Sequence, residues 1–298
     1  MDDASLRGSP PDALMTRYLR GGRLLAVLLA LFLILSLCAC QKKTEESMLR
    51  ILFFDVGQGD AALIRTADGD ILIDAGGEDT EAFLCSRLHH LGVRALALVV
   101  FTSPEVGRIG GGDGVLEAFE VGEVWYNGSF EDSESAERLG AVIERKAIPM
   151  RRADAYTDLS LGGATLSVLF PFAKDVRESV AVLQLSYGEG RAVWMGNVTD
   201  EQELLVCNTY GNRILNSDVL VVGRNGSGTV TDKALLDAVS PRYAVISCRA
   251  GNPYGHPTGD LLERLAAHDV QPLRIDREGE IVLVGDGGAF RLSEAWED

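Results

Sequence analysis

Glu105, Arg108, Arg224 and His256 are the residues whose types and settings suggest chemistry in this sequence. Each lies in a glycine-containing turn that follows an apolar run: TSPEVGRIGG over 102–111, GRNGSG over 223–228 and NPYGHP over 252–257. A carboxylate or an imidazole can ligate a metal ion. A guanidinium cannot, because it keeps its proton and offers only donors. Two divalent ions held by nitrogen and oxygen donors need about four to six ligands each, so Glu105 and His256 alone do not make a two-metal site. Guanidinium groups suit a different task, the bidentate pairing of carboxylate or phosphate. Arg108 and Arg224 therefore either receive an anion or close an ion pair, with Glu105 or Asp60 as the partner. GRNGSG lacks the G-x-x-x-x-G-K-[ST] pattern, and the helix after it is expected to start several residues later, near Thr231, which rejects a nucleotide P-loop.

The elements that position these turns alternate strand and helix. Strands are expected at 50–56, 61–66, 70–74, 95–101, 121–126, 164–170, 180–187, 192–195, 218–222, 243–247, 271–275 and 280–284. Helices are expected at 78–91, 114–120, 134–146, 199–209, 231–239 and 260–267. Thr199 with Gln202 three residues on has the spacing of a capping box. Many strands are continuous apolar runs, such as ALALVVF over 95–101, which implies sheets covered on both faces. Hairpins early in each half followed by strand–helix alternation point to two sheets packed face to face with helices outside. Trp125, Trp194, Phe53 and Phe54 read as core, and Cys85, Cys207 and Cys248 as buried free thiols, lacking any C-x-x-C spacing.

FDVGQGDA over 54–61 and ILIDAGG over 71–77 resemble the opening of the metallo-β-lactamase branch found in stand-alone ComEC-type (DNA-uptake) domains. The segment 102–111 is similar to that superfamily's T-H-x-H-x-D-H-x-G-G motif. Segment 218–227 (DVLVVGRNGS) is similar to its D-V-L-K-V-G-H-H-G-S, and 252–257 to its N-x-Y-G-H-P. The resemblance runs in order over 50–285 and implies an α/β fold, a metallo-β-lactamase-like four-layer αββα sandwich. It also implies where metal ligands belong. The family ligand positions fall on Ser103, Glu105, Gly107 and Arg108; its bridging aspartate falls on Asn197, and its GHHGS histidine on Arg224 or Asn225. The frame persists while the ligands are replaced. The resulting pocket comprises Asp60, Ser103, Glu105, Arg108, Asn197, Arg224, Asn225 and His256, with no catalytic residue and no metal ligand assigned. No cofactor is expected; the alternative is an atypical site on Glu105, His256 and Asp60 that holds Zn or Mn.

The amino-terminal segment reads differently. Residues 24–37 form an apolar run of 14 residues behind Arg17, Arg20 and Arg23. A membrane-spanning helix needs about 20, so the run reads as a signal-peptide core. LCACQ over 37–41 resembles a bacterial lipobox with Cys40 as the lipidated residue. The expected organisation is a lipoprotein signal peptide over 1–39, a polar tether over 40–47 and one metallo-β-lactamase-like domain over 48–298; Met15 would make a tidier initiator than Met1. The lipid would hold the protein on the extracellular face of the bacterial cytoplasmic membrane. A formal charge of −16 argues against nucleic acid as a partner, since such binding draws on basic patches that displace counterions.

The expected function is non-catalytic binding or accessory work at the cell surface, with a small anionic ligand or a surface protein as partner. A metal-dependent hydrolase of phosphodiesters is the alternative that the resemblance implies. Incorporation of radiolabelled palmitate tests the anchor: Cys40→Ala is expected to abolish labelling, and unchanged labelling would remove Cys40 as the acylation site.

Overall fold

The computed structural model describes residues 48–131, 133–172 and 179–293. Cys40, the apolar run 24–37 and the tether 40–47 lie outside the described residues, as do 294–298. The first sheet contains β1 (Leu49–Phe53), β2 (Ala62–Thr66), β3 (Gly69–Ile73), β4 (Ala95–Phe101), β5 (Glu120–Val121), β6 (Val124–Tyr126) and β7 (Met150–Arg151). The second contains β8 (Asp158–Leu161), β9 (Ala164–Phe170), β10 (Val182–Tyr187), β11 (Gly190–Trp194), β12 (Val219–Val221), β13 (Tyr243–Ile246) and β14 (Gln271–Arg274). The chain then returns to the first sheet as β15 (Ile281–Gly285) and β16 (Arg291–Ser293), so that β15 pairs antiparallel with β1.

Strand order is β16-β15-β1-β2-β3-β4-β6-β7, with β5 on β4, in one sheet and β14-β13-β12-β11-β10-β9-β8 in the other. Hairpins build the β1–β2–β3 and β8–β9–β10–β11 halves. Parallel crossovers build β3–β4–β6 and β11–β12–β13–β14.

The continuous apolar runs are resolved by the period of two along a strand. On β1, Leu49, Ile51 and Phe53 face the other sheet while Leu52 faces outward. On β12, Val219 and Val221 point inward, and Leu220 outward. The inward set joins Trp125 and Trp194 in a core between the sheets. The outward set of the first sheet packs on the helices Glu81–His90, Gly112–Ala118 and Glu134–Lys146. The outward set of the second packs on Asp200–Leu215, Lys233–Val239 and Gly259–Ala267. The result is the expected four-layer αββα sandwich.

Helix starts follow their caps. Ser133 accepts from the Ala136 amide at the head of Glu134–Lys146. Thr199 and Gln202 form both bonds of a capping box, and each such cap contributes about 1 kcal/mol. The helix expected at 199–209 continues to Leu215 through a break at Gly211, whose φ of 54° leaves the helical region. The helix expected at 231 starts at Lys233 instead, because Thr231 adopts φ 59° and Asp232 takes the cap. All three cysteines of the domain are free, but Cys85 is only half-buried. Among the described residues no helix is long and apolar enough to cross a membrane.

Candidate functional site

Parallel strands put their carboxyl ends at a common edge, and the chemically suggestive turns leave from those ends. Asp74 follows β3, Thr102 to Arg108 follow β4, Asn197 follows β11, Arg224 follows β12 and His256 lies beyond β13. Backbone hydrogen bonds tie the loops of the first sheet together: Ala75 N donates to Arg108 O (2.8 Å), Asp60 N to Gly107 O (3.0 Å) and Gly76 N to Asp60 O (2.9 Å). Close approach is required here. A Cβ at Gly59 would lie 2.4 Å from Gly107 O, so the D-V-G-Q-G-D turn needs glycine at that position for space.

The centre of the site is a buried charge cluster. The Arg108 side chain is 3% exposed and forms an ion pair with Asp60; its Nε lies 3.9 Å from Asp74 Oδ2. Asp74 is also 3% exposed and accepts from both the amide and the hydroxyl of Thr102, each at 2.7 Å. Burial pushes the Asp74 carboxyl up to about 7, against the pull of Arg108 and the two Thr102 bonds. Burial likewise opposes charge on Arg108, but Asp60, Asp74 and Glu105 outweigh it and hold the guanidinium pKa above its ordinary value. Arg108 Nε and Nη2 have no aligned hydrogen-bond acceptor among the described residues. The attraction is therefore chiefly coulombic, which burial strengthens relative to water.

A second group bridges the two sheets. Ser103 Oγ donates to Glu105 Oε2, and Asn197 Nδ2 donates to Glu105 Oε1. Both oxygens of the one carboxylate that lies at a family ligand position are thus engaged by neutral donors. Of the two partners proposed for Arg108 in sequence, Asp60 makes the ion pair and Glu105 turns to Ser103 and Asn197.

Arg224 and Asn225 adopt consecutive left-handed conformations, φ 50° and 53°. The Arg224 amide donates to Gly196 O (3.1 Å), and Asn225 Nδ2 donates to Ser247 O (2.9 Å). Asn225 is thereby spent on fixing the turn and does not join the other site residues. The Arg224 guanidinium has no hydrogen bond or ion pair to another described residue. It is close enough to His256 to act on its charge: burial, then Arg224, lowers the imidazole pKa, so the ring is neutral at pH 7. His256 is fixed through its backbone, with its amide on Asn252 Oδ1 (3.0 Å) and its carbonyl accepting from Asn252 Nδ2 (2.6 Å). Its Nδ1 is buried without a hydrogen-bond partner among the described residues.

Asp74 and Thr102 belong to this site although the candidate residues read from sequence leave them out; their signal lay only in the D-A-G-G turn and the strand end. Gln58, Arg249 and Tyr254 border it too, and no motif marks Arg249. Among the described residues no group of three or more His, Cys, Asp or Glu could hold a metal ion. The positive charge of Arg108 already lies against Asp60 and Asp74. These residues do not fit a two-metal centre.

Removing Arg108 leaves the buried Asp74 carboxylate without a cation beside the partly exposed Asp60; breaking a buried pair in this way typically costs about 3–5 kcal/mol. The cost depends on pH with a definite sign. Asp74 has a folded pKa raised above its unfolded value, so protonated protein folds more readily and the Asp74 contribution is lost as pH rises from about 4 to 7. Arg108 compensates only ionised carboxylates. Urea unfolding of Arg108→Met is therefore expected to show a deficit against wild type that is large at pH 8 and shrinks towards pH 5; a deficit independent of pH would contradict the cluster's role.

No family model matches the chain. Over 248 residues it is 29% identical to competence protein ComA of Neisseria gonorrhoeae, covering 82% of this chain and 33% of that protein. It is 25% identical to ComE operon protein 3 of Bacillus subtilis, covering 76% of this chain and 32% of that one. The chain thus spans about a third of the length of these relatives. Among solved structures, the metallo-β-lactamase fold protein YhfI from Bacillus subtilis superposes with a TM-score of 0.53 at 12% identity, over 80% of this chain and all of that one. The chain therefore has the metallo-β-lactamase fold and resembles ComEC-type competence proteins across most of its length.

Proposed function

We propose that this chain is a competence-related, lipid-anchored binding protein that uses the metallo-β-lactamase fold without hydrolysing its ligand. One observation carries the reading: the buried Arg108 guanidinium is paired to Asp60 and lies near Asp74, where the family's metal-binding motif runs. A hydrolase of this fold needs ions to polarise the scissile group and to generate the attacking hydroxide. The neutral Asn197 and Ser103, both bound to Glu105, supply neither a bridging anion nor a base.

The chemistry that remains is recognition. Arg224 offers an uncommitted guanidinium beside the neutral imidazole of His256, a pairing suited to a small anion such as a carboxylate or a single phosphate. The signal segment and Cys40 support a position on the extracellular face of the cytoplasmic membrane, where the partner would be a cell-surface molecule or protein. The acidic charge of −16 opposes long nucleic-acid polyanions.

Elemental analysis and thermal melting of the full-length protein in detergent, after incubation with excess Zn or Mn, test the reading. Expected are substoichiometric metal, an unmoved Tm and no cleavage of bis-p-nitrophenyl phosphate. Stoichiometric Zn or Mn together with metal-dependent cleavage would establish the hydrolase instead.

A further inference from the structure

Beside the charge cluster runs an open groove of about 1180 Å³ measured out to solvent, bordered by Gln58, Glu78, Val106, Arg249 and Tyr254. Two of its walls expose apolar surface that the fold does not need. Tyr254 is 67% exposed and Val106 46%. The Tyr254 ring is nevertheless held in place: it stacks on His256 at 5.7 Å between centroids, and its amide donates to Asn252 Oδ1 at 3.1 Å. An ordered, exposed aromatic face is a platform on which a flat ligand can stack.

The polar part of the groove is equally uncommitted. The Arg249 amide donates to Gln58 Oε1 at 3.1 Å, which leaves the Gln58 Nε2 group as a free donor. The Arg249 side chain passes close to Gly57, and its guanidinium has no hydrogen bond or ion pair to another described residue. On the acidic wall, Glu78 is already engaged by Ser135 and by Arg138 at 2.6 Å. The groove thus presents one free guanidinium, one amide donor and one aromatic plate, with the Asp79 carboxylate also on its lining, in a protein whose overall charge repels polyanions.

Resting on the reading that the chain binds without hydrolysing, we infer that this groove binds a short glycan bearing a carboxylate. A pyranose ring would stack on Tyr254, its carboxylate would take Arg249 bidentately, and ring hydroxyls would accept from Gln58. A single carboxylate per contact matches the single free cation, whereas an oligonucleotide would bring several phosphates towards Glu78 and Asp79.

Isothermal titration of the full-length protein in detergent with tri-galacturonate, maltotriose and a hexathymidylate tests this. Tri-galacturonate is expected to bind saturably and more tightly than the other two. Tyr254→Ala and Arg249→Gln should each weaken it by at least roughly tenfold, the scale of a lost aromatic or arginine anchor, while Tyr254→Phe retains binding. Both side chains are exposed, so the thermal melt of each variant should match wild type. Absence of saturable binding, equal affinity for maltotriose, tighter binding of hexathymidylate or indifference to both truncations would overturn the assignment. Metal content measured on the same preparations separates the two readings. A metal-free protein that ignores tri-galacturonate overturns the groove assignment alone; stoichiometric metal with phosphodiester cleavage overturns the non-hydrolytic reading.

Discussion

A buried positive charge needs a buried negative one, and the edge of this sandwich is organised around that requirement. Arg108, Asp60 and Asp74 come from three separate turns, and none could be held in the interior alone. Two carboxylates without a cation would repel each other, and a guanidinium without them would remain desolvated and uncompensated. The cluster therefore fixes the relative placement of the D-V-G-Q-G-D turn, the D-A-G-G turn and the loop after β4. The hydrogen bonds from Ala75, Asp60 and Gly76 complete the clamp in the same place. In metal-bearing proteins of this fold, ions would neutralise carboxylates at this edge. Here a covalently attached cation does so, and it cannot dissociate.

Around that fixed point the two halves of the fold divide the work. The first sheet supplies the charge cluster and, through Glu105, accepts Asn197 from the second sheet. The second sheet supplies Arg224 and His256, whose side chains make no hydrogen bond or ion pair to another described residue. The inner cluster is closed by its own ion pairs and hydrogen bonds, while the outer rim keeps donors that are not committed to it. The outer donors can meet a ligand without disturbing the ion pairs beneath.

The sandwich was largely legible in sequence because its strands are apolar on both faces. ALALVVF at β4 has no polar side to place in water, so two covering layers follow from composition alone. Helix starts were legible at the side-chain caps Ser133 and Thr199. Boundaries failed where backbone conformation decides them. Thr231 adopts positive φ where its amide donates to the buried Glu203 carboxylate, and Gly211 does so inside a helix; the apolar periodicity announces neither. The site was legible as a set of altered positions in a preserved frame, but its pairing was not. Glu105 and Asp60 both carry the right charge for Arg108, and only the three-dimensional path of the loop gives Arg108 to Asp60 and Glu105 to Asn197. Arg249 stayed silent because an exposed residue in a turn leaves no periodic trace, and Tyr254 was legible only as a letter of the N-x-Y-G-H-P segment.

If Arg108 stands in for metal charge at this edge, Arg108 and Asp74 are energetically coupled. A double-mutant cycle of Arg108→Met, Asp74→Asn and the pair, followed by urea unfolding at pH 8, measures that coupling directly. The expected result is a double variant more stable than the two single losses added together, with a favourable coupling above about 1 kcal/mol between the native charges. Additivity within about 0.5 kcal/mol would mean that the two groups do not compensate each other, and would contradict the replacement of metal charge by Arg108.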